Sequence, residues 1–365
     1  MVPNARPAWM EELEARLKEY YQVLPEAMGW VLLVVQDGQT NHCIRVHLAE
    51  SLAFFYVPAG EGHADAQITL ELPLLEKIFQ HPEHFEPRSD FLAEHIVISG
   101  SEVLAHHFLQ LLKRPGEYAL QILKHVRAYT TIPQEVIEQR EFDLTTLLQA
   151  AAHNQPIVFR SILNWPICSW SLDEFESRVG NFPFRFNQKL GRIENFSDFA
   201  QELKQIKDEH VYTSGAILPA ALEKYFPFPD DFARITTPHQ VLWFGKSRPG
   251  ELLTKLHCDI FTSLLAQVWG KKKARLYPPQ HTQYVYPIEA FSGYQPCMVN
   301  PLKPDPVHHA AFSKATCLTV EINPGDLLII PSGWFHSLEA NGLTFSISKG
   351  LPLEIAYDIL KIPYN

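Results

Sequence analysis

The sequence predicts a chain in two parts, an α+β N-terminal domain followed by a mainly β, jelly-roll-type domain with flanking helices. Three observations carry this reading. The chain has 365 residues, long enough for two cores. Its first third mixes helical and strand periodicities. From about Val211 onward it becomes a succession of short strands separated by Pro and Gly, the texture of a β-sandwich or jelly roll. The boundaries read from this change of texture are residues 1–125, a linker at 126–134, and residues 135–365.

The first domain opens with a helical pattern over residues 8–28, where Trp9, Met10, Leu13, Leu17, Tyr20, Tyr21 and Leu24 recur at three- and four-residue spacing. Trp30–Gln36 is an apolar run that stops at Asp37-Gly38, a hairpin turn pair. Cys43–Leu48 and Leu52–Val57 follow as strands. Ala66–Leu72 alternates and leads into a helical stretch at Pro73–Phe79. Phe91–Ser99 ends in a short strand, and Glu102–Lys113 returns to helical periodicity before Pro115-Gly116. This order, with "AQITLELPLLEKIF" and "FLAEHIVISGSEVLAHHFLQLL", resembles the sterol-carrier (SCP2-like) fold. The resemblance implies a hydrophobic ligand or a docking role for this domain. A plain accessory domain with an apolar core is the alternative.

In the second part, Phe142–Ala152 reads as a helix and Pro156–Phe159 as a strand. Ser171 with Glu174 three residues on is a helix-start signature, and Ser197 marks a second start.

Composition narrows the function classes. The net charge of −10 repels phosphate backbones, so nucleic acid is not an expected partner. The five cysteines, Cys43, Cys168, Cys258, Cys297 and Cys317, form no C-x-x-C pair and suggest neither a disulfide framework nor a zinc finger. No apolar run is long enough to span a membrane. A soluble, cytoplasmic protein is expected.

Two segments carry chemistry. His257-Cys258-Asp259 places two metal-capable side chains two residues apart, hence on one face of a strand. Further on, Ile322–His336 reads INPGDLLIIPSGWFH: a strand ending at Asn323, a Pro-Gly-Asp turn, an apolar strand at Leu327–Ile330, and a loop delivering His336. Two histidines and a carboxylate are the facial triad of non-heme Fe(II) oxygenases. The structural alternative is that, among 17 histidines, such a pair is ordinary surface or core.

The run T-x-L-H-x-D, then LLAQVWGKKKARLYPP, then PGDLLIIPSGWFH resembles the JmjC hydroxylases and related cupin-like proteins. The likeness extends upstream to QPIVFRSILNW at Gln155–Trp165 and covers roughly residues 135–350. It implies a double-stranded β-helix (jelly roll, cupin, JmjC-type) that binds Fe(II) through His257, Asp259 and His336. It also implies 2-oxoglutarate as co-substrate. In the asparaginyl-hydroxylase-like branch a lysine fifteen residues after the first iron histidine holds the distal carboxylate. That position is Lys272. The threonine three residues before the histidine is Thr254, and an upstream tyrosine is matched by Tyr212. Lys271-Lys272-Lys273 read alone is a solvated basic turn; strand alternation would turn Lys272 inward and its neighbours outward. The sequence departs from the family at Ser263, where asparagine is common, and at Ser346-Ile347-Ser348. It also stops soon after Tyr357–Leu360, so a long C-terminal dimerisation helix is not expected.

The resemblance implies a dioxygenase that hydroxylates a protein or peptide side chain while 2-oxoglutarate is decarboxylated to succinate. A small-molecule or RNA-base substrate, a non-catalytic cupin-fold scaffold, and a hydrophobic-ligand carrier acting through the N-terminal domain are the alternatives. Target choice would fall to loops such as Tyr284–His309, which contains His308 and His309.

Overall fold

The structure, a computed structural model, describes residues 7–58, 60–87, 95–186, 193–206 and 210–363. The first four residues of the expected Phe91–Ser99 element lie outside them. The chain divides into two compact units. One is Met1–Ala119 together with Ile288–Gln295, and the other is Leu120–Pro287 with Pro296–Asn365.

The first unit is built on one sheet of β1 (Gly29–Asp37), β2 (Thr40–Leu48), β3 (Ala53–Val57), β4 (Ala66–Glu71) and β5 (Ile96–Gly100), in the order β3-β2-β1-β4-β5. β1 and β2 form the hairpin turned by Asp37-Gly38, with Asp37 paired to Thr40 and Gly38 at φ +58°. Alternation sends Val31, Leu33, Val35, Ile44, Val46, Ile68 and Leu70 to a face with no solvent or nearly none. Helices Leu72–Gln80 and Glu102–Gln110 pack on β1 and β4. The second of these begins at Ser101, whose hydroxyl accepts from the Leu104 amide. On the opposite face Trp30 stacks on His47 at 4.2 Å, and the Arg45 guanidinium lies 3.8 Å over the Trp30 ring.

The second unit is a sandwich. Its strands are β6 (Ile137–Gln139), β7 (Ile157–Phe159), β8 (Val211–Ile217), β9 (Val241–Ser247), β10 (Leu252–Asp259), β11 (Thr262–Trp269), β12 (Lys272–Tyr277), β13 (Leu318–Ile322), β14 (Leu327–Ile330), β15 (Phe335–Ala340) and β16 (Gly342–Leu351). One sheet runs β8-β9-β16-β11-β14-β7-β6, and in the other β10, β15, β12 and β13 are successive neighbours. The near-continuous apolar run of β14 follows from burial on both faces. Leu328 and Ile330 join Leu265, Ala274, Leu276 and Leu338 between the sheets. Leu327 and Ile329 instead join Phe159, Leu264 and Phe345 beneath the helices. The Pro324-Gly325-Asp326 turn before β14 is tied by Asp326, only 1% exposed, which accepts from the amides of Ser161 and Asn323 and from Arg160.

Several elements differ from their sequence reading. The first helix is Ala8–Glu19 and stops at Tyr20. Pro25 and the residue before it disfavour helix, and a 3₁₀ turn at Pro25–Ala27 follows instead. Ser171 caps as expected, accepting from the Glu174 amide at 3.1 Å. Ser197 does not cap: Asn195 does, and the Ser197 hydroxyl donates to Glu176. The stretch read as a linker begins inside helix Glu117–Arg127, because Ile122 and Val126, four apart, are buried in the core of the second unit.

Candidate metal centre

β10 and β15 are adjacent antiparallel strands, and His257 is paired directly with His336. Their ring centroids are 4.3 Å apart. Asp259, two residues on, returns to the same face. One carboxylate oxygen lies 4.0 Å from His257 Nε2 and the other 3.6 Å from His336 Nε2. One ligand atom from each of the three residues falls within 4.8 Å of the other two. His336 and His257 are deep, with side-chain exposures of 6% and 15%, whereas Asp259 keeps 34% and sits where the cluster meets solvent.

The backbone settles the histidine tautomers. His257 Nδ1 lies 2.7 Å from the Lys255 carbonyl and His336 Nδ1 3.0 Å from the Trp334 carbonyl. A carbonyl only accepts, so Nδ1 carries the hydrogen in each ring and Nε2 keeps its lone pair for a metal. Burial, with His257 beside it, pushes His336 down to about 4, so its ring is neutral near pH 7. Two imidazole Nε2 atoms and one carboxylate fit a divalent transition metal that prefers nitrogen and oxygen donors. Cys258, between the ligands, points to the other face and is 1% exposed.

The loop that delivers His336 is pinned from a distance. Asn154, buried and left-handed at φ +55°, donates its amide to the Ser332 carbonyl and accepts the Trp334 indole N–H at 2.7 Å. Gly333, at φ +75°, donates its amide to the Asp259 carbonyl. A Cβ there would come within 2.5 Å of Val126. Asn154 escaped the sequence reading. Its one signal is its place just past a helix end, where asparagine tolerates the left-handed conformation.

The remaining expected site residues lie on the inner walls of the same sandwich. Lys272 is 1% exposed, while Lys271 and Lys273 on either side are exposed and pair with Glu321 and Glu339. The Lys272 ammonium donates to the Tyr212 hydroxyl at 2.8 Å and meets no carboxylate among the described residues. Burial alone pushes it down to about 7. Tyr212, on β8, faces Gly245 on β9, where a Cβ would come within 2.1 Å of the Val211 carbonyl; only glycine allows this approach. Thr254 lies opposite Leu338 on β15 rather than in regular step with His257, because β10 carries one extra residue between them. That bulge turns Thr254 to the His257 face. Thr254 Oγ1 accepts from the Leu338 amide, which leaves its hydrogen to donate. Ser263 is half-buried on β11. Gln267, buried, donates to the Thr344 hydroxyl and accepts from Ser346 on β16.

Residues 145–357 match the model of the cupin-like domain, more than half of the chain. The chain belongs to the cupin-like domain family. Relatives of this cupin-like chain include lysine-specific demethylase 8 of Danio rerio, 37% identical over 29% of this chain and 25% of that protein. Others are tRNA wybutosine-synthesizing protein 5 of Danio rerio, 36% identical over 40% of this chain and 45% of that one, and HSPB1-associated protein 1 of Bos taurus, 33% identical over 63% and 52%. The cupin-like chain thus spans between a quarter and about half the length of these curated relatives. No helix among the described residues is long and apolar enough to cross a membrane.

Proposed function

We propose that the cupin-like unit is a JmjC-type, Fe(II)- and 2-oxoglutarate-dependent oxygenase that hydroxylates a protein or peptide side chain. One observation carries this reading: His257, Asp259 and His336 converge in the same sandwich that buries Lys272 against Tyr212 with no carboxylate beside it among the described residues. Bound iron and 2-oxoglutarate would supply oxidising power from O2, coupled to decarboxylation of the co-substrate.

The chain's own residues then have distinct tasks. The two imidazole Nε2 atoms and the Asp259 carboxylate would hold the metal. The Lys272 ammonium and the Tyr212 hydroxyl would receive the distal carboxylate of the co-substrate, with Thr254 offering a further hydroxyl hydrogen. The apolar wall of Leu265, Ala274, Leu328 and Leu338 keeps water from these groups. The spacing of Thr254, His257 and Lys272 supports the asparaginyl-hydroxylase-like branch. The relatives' names point variously to a lysine side chain, a tRNA base and a partner protein. The net charge of −10 favours a protein substrate over a polyanion.

Anaerobic addition of Fe(II) and 2-oxoglutarate should give the weak visible charge-transfer band of the chelate. His257→Ala should abolish it and Lys272→Ala should weaken it strongly. No band, and no heat of 2-oxoglutarate binding, would sink the oxygenase reading and leave a non-catalytic cupin-fold scaffold. For the N-terminal unit, the sterol-carrier likeness extends the proposal to a docking or apolar-ligand role. The face of Trp30, Arg45, His47 and Phe55 supports docking. Mass spectrometry of an organic extract of the purified protein tests the apolar ligand.

A further inference from the structure

Among the described residues, β3 is an outer strand of the N-terminal sheet, paired to β2 on one side only. Its sequence, Ala-Phe-Phe-Tyr-Val, contains no charge and no proline. Phe55 and Tyr56 are 51% and 40% exposed. Edge strands are usually shielded by lysine, proline or a bulge, because a bare row of N–H and C=O groups is a template for another strand. An exposed aromatic edge strand that lacks these devices can take a further strand.

We infer that β3 pairs with β3 of a second copy of this chain, antiparallel, about a two-fold axis at Phe55. The register is self-complementary. Ala53 opposes the partner's Val57, Phe54 opposes the partner's Tyr56, and Phe55 meets the partner's Phe55, so every cross-strand pair is apolar or aromatic. The flanking charges select the same arrangement. Phe54 and Tyr56 alternate onto the face of helix Ala8–Glu19. There the Lys18 ammonium lies 5.1 Å over the Phe54 ring and 3.2 Å from Glu14 of its own helix, and Glu14 also accepts from the Tyr56 hydroxyl. Antiparallel pairing about Phe55 brings Lys18 beside the partner's Glu14, and Glu14 beside the partner's Lys18. A parallel pairing of the same two edges would turn the partner's helix to the opposite face of the sheet and lose both charge contacts. A second copy is therefore the occupant that the charges favour over an unrelated extended peptide.

A five-residue pairing buries less than the ~1,200 Å² of a standard stable interface, so the dimer should be weak and concentration-dependent. Sedimentation velocity of the full chain across a concentration series, up to about 100 µM, should show reversible monomer–dimer exchange. Residues directly opposed across an antiparallel pair have Cα atoms about 4.5–5.5 Å apart, within disulfide reach. Phe55→Cys should thus form a covalent dimer under mild oxidation, and Val97→Cys on β5 should not. Lys18→Glu alone should weaken association at least about threefold by setting like charges together. The double exchange Glu14→Lys with Lys18→Glu should restore it, which a mere folding defect would not allow. A strictly monomeric wild type, or cross-linking as efficient through Val97→Cys as through Phe55→Cys, would overturn the proposal. So would failure of the double exchange to rescue. Protection of the 53–57 amides from hydrogen exchange only on adding a foreign extended peptide would overturn it in favour of that occupant.

Discussion

Lys113 in the N-terminal unit and Lys272 in the cupin-like unit are both withdrawn from water, at 0% and 1% exposure. Lys113 has an anionic partner within the chain. Glu86 lies 3.1 Å from its ammonium, and the Tyr294 ring is 4.9 Å away. Burial lowers its pKa while Glu86 pulls the other way. Lys272 has the Tyr212 hydroxyl and ring, and burial alone acts on it. A buried ammonium without an anion is costly. The first lysine is therefore part of the scaffold, whereas on the proposed function the second would find its anion in the co-substrate.

The largest effect expected from this contrast concerns ligand binding. Lys272→Met should weaken 2-oxoglutarate binding by about 30-fold or more, since losing one member of a buried charge pair costs about 2–5 kcal/mol. The thermal stability of the ligand-free protein should stay level or rise. A fall in both, by calorimetry and thermal melts, would mean that Lys272 is structural like Lys113. Lys113→Met should do the reverse. Glu86 keeps 40% of its surface and can be resolvated, so about 1–2 kcal/mol of stability should be lost in urea titrations, with 2-oxoglutarate affinity unchanged.

Tyr212→Phe removes one hydrogen bond and should weaken the co-substrate about two- to tenfold. The smallest effect is on pH dependence. The folded pKa of Lys272, about 7, lies below its ordinary 10.5. Between these values the unfolded chain holds the proton that the folded chain has released, so stability rises with pH across that window. The gain from pH 7 to 8 should be about 1 kcal/mol, absent in Lys272→Met. Bound 2-oxoglutarate should reverse the preference, with proton uptake above pH 7 measurable by calorimetry in two buffers.

The residues that were legible in the sequence are those governed by local periodicity. Alternation is enough to place His257 and Asp259 on one face and to separate Lys272 from Lys271 and Lys273. The turn at Pro324–Asp326 and the cap at Ser171 follow from side-chain chemistry within three residues. What could not be read depends on distant partners. The bulge that turns Thr254 inward appears only when β10 is laid against β15. The cap at Asn195 rather than Ser197 reflects a competing bond from Ser197 to Glu176, 21 residues away. The membership of Ile288–Gln295 in the N-terminal unit rests on Ala290 receiving the Gln110 side chain and Ser292 donating to the Phe85 carbonyl. None of these has a local signal.

The pinning of the Ser332–Trp334 loop by Asn154 reaches across 178 residues. His336 therefore acquires its position only after the strands before and after it have closed into the sandwich. Such a topology is rich in non-local contacts and folds slowly. On the proposed function it would also make the metal a probe of maturation, because nascent or partly folded chains would lack the third ligand. Metal added during refolding should be captured late, in step with the slowest phase. Once captured, it should deepen the native basin by mass action, protecting the whole domain against proteolysis and not just the residues that touch it.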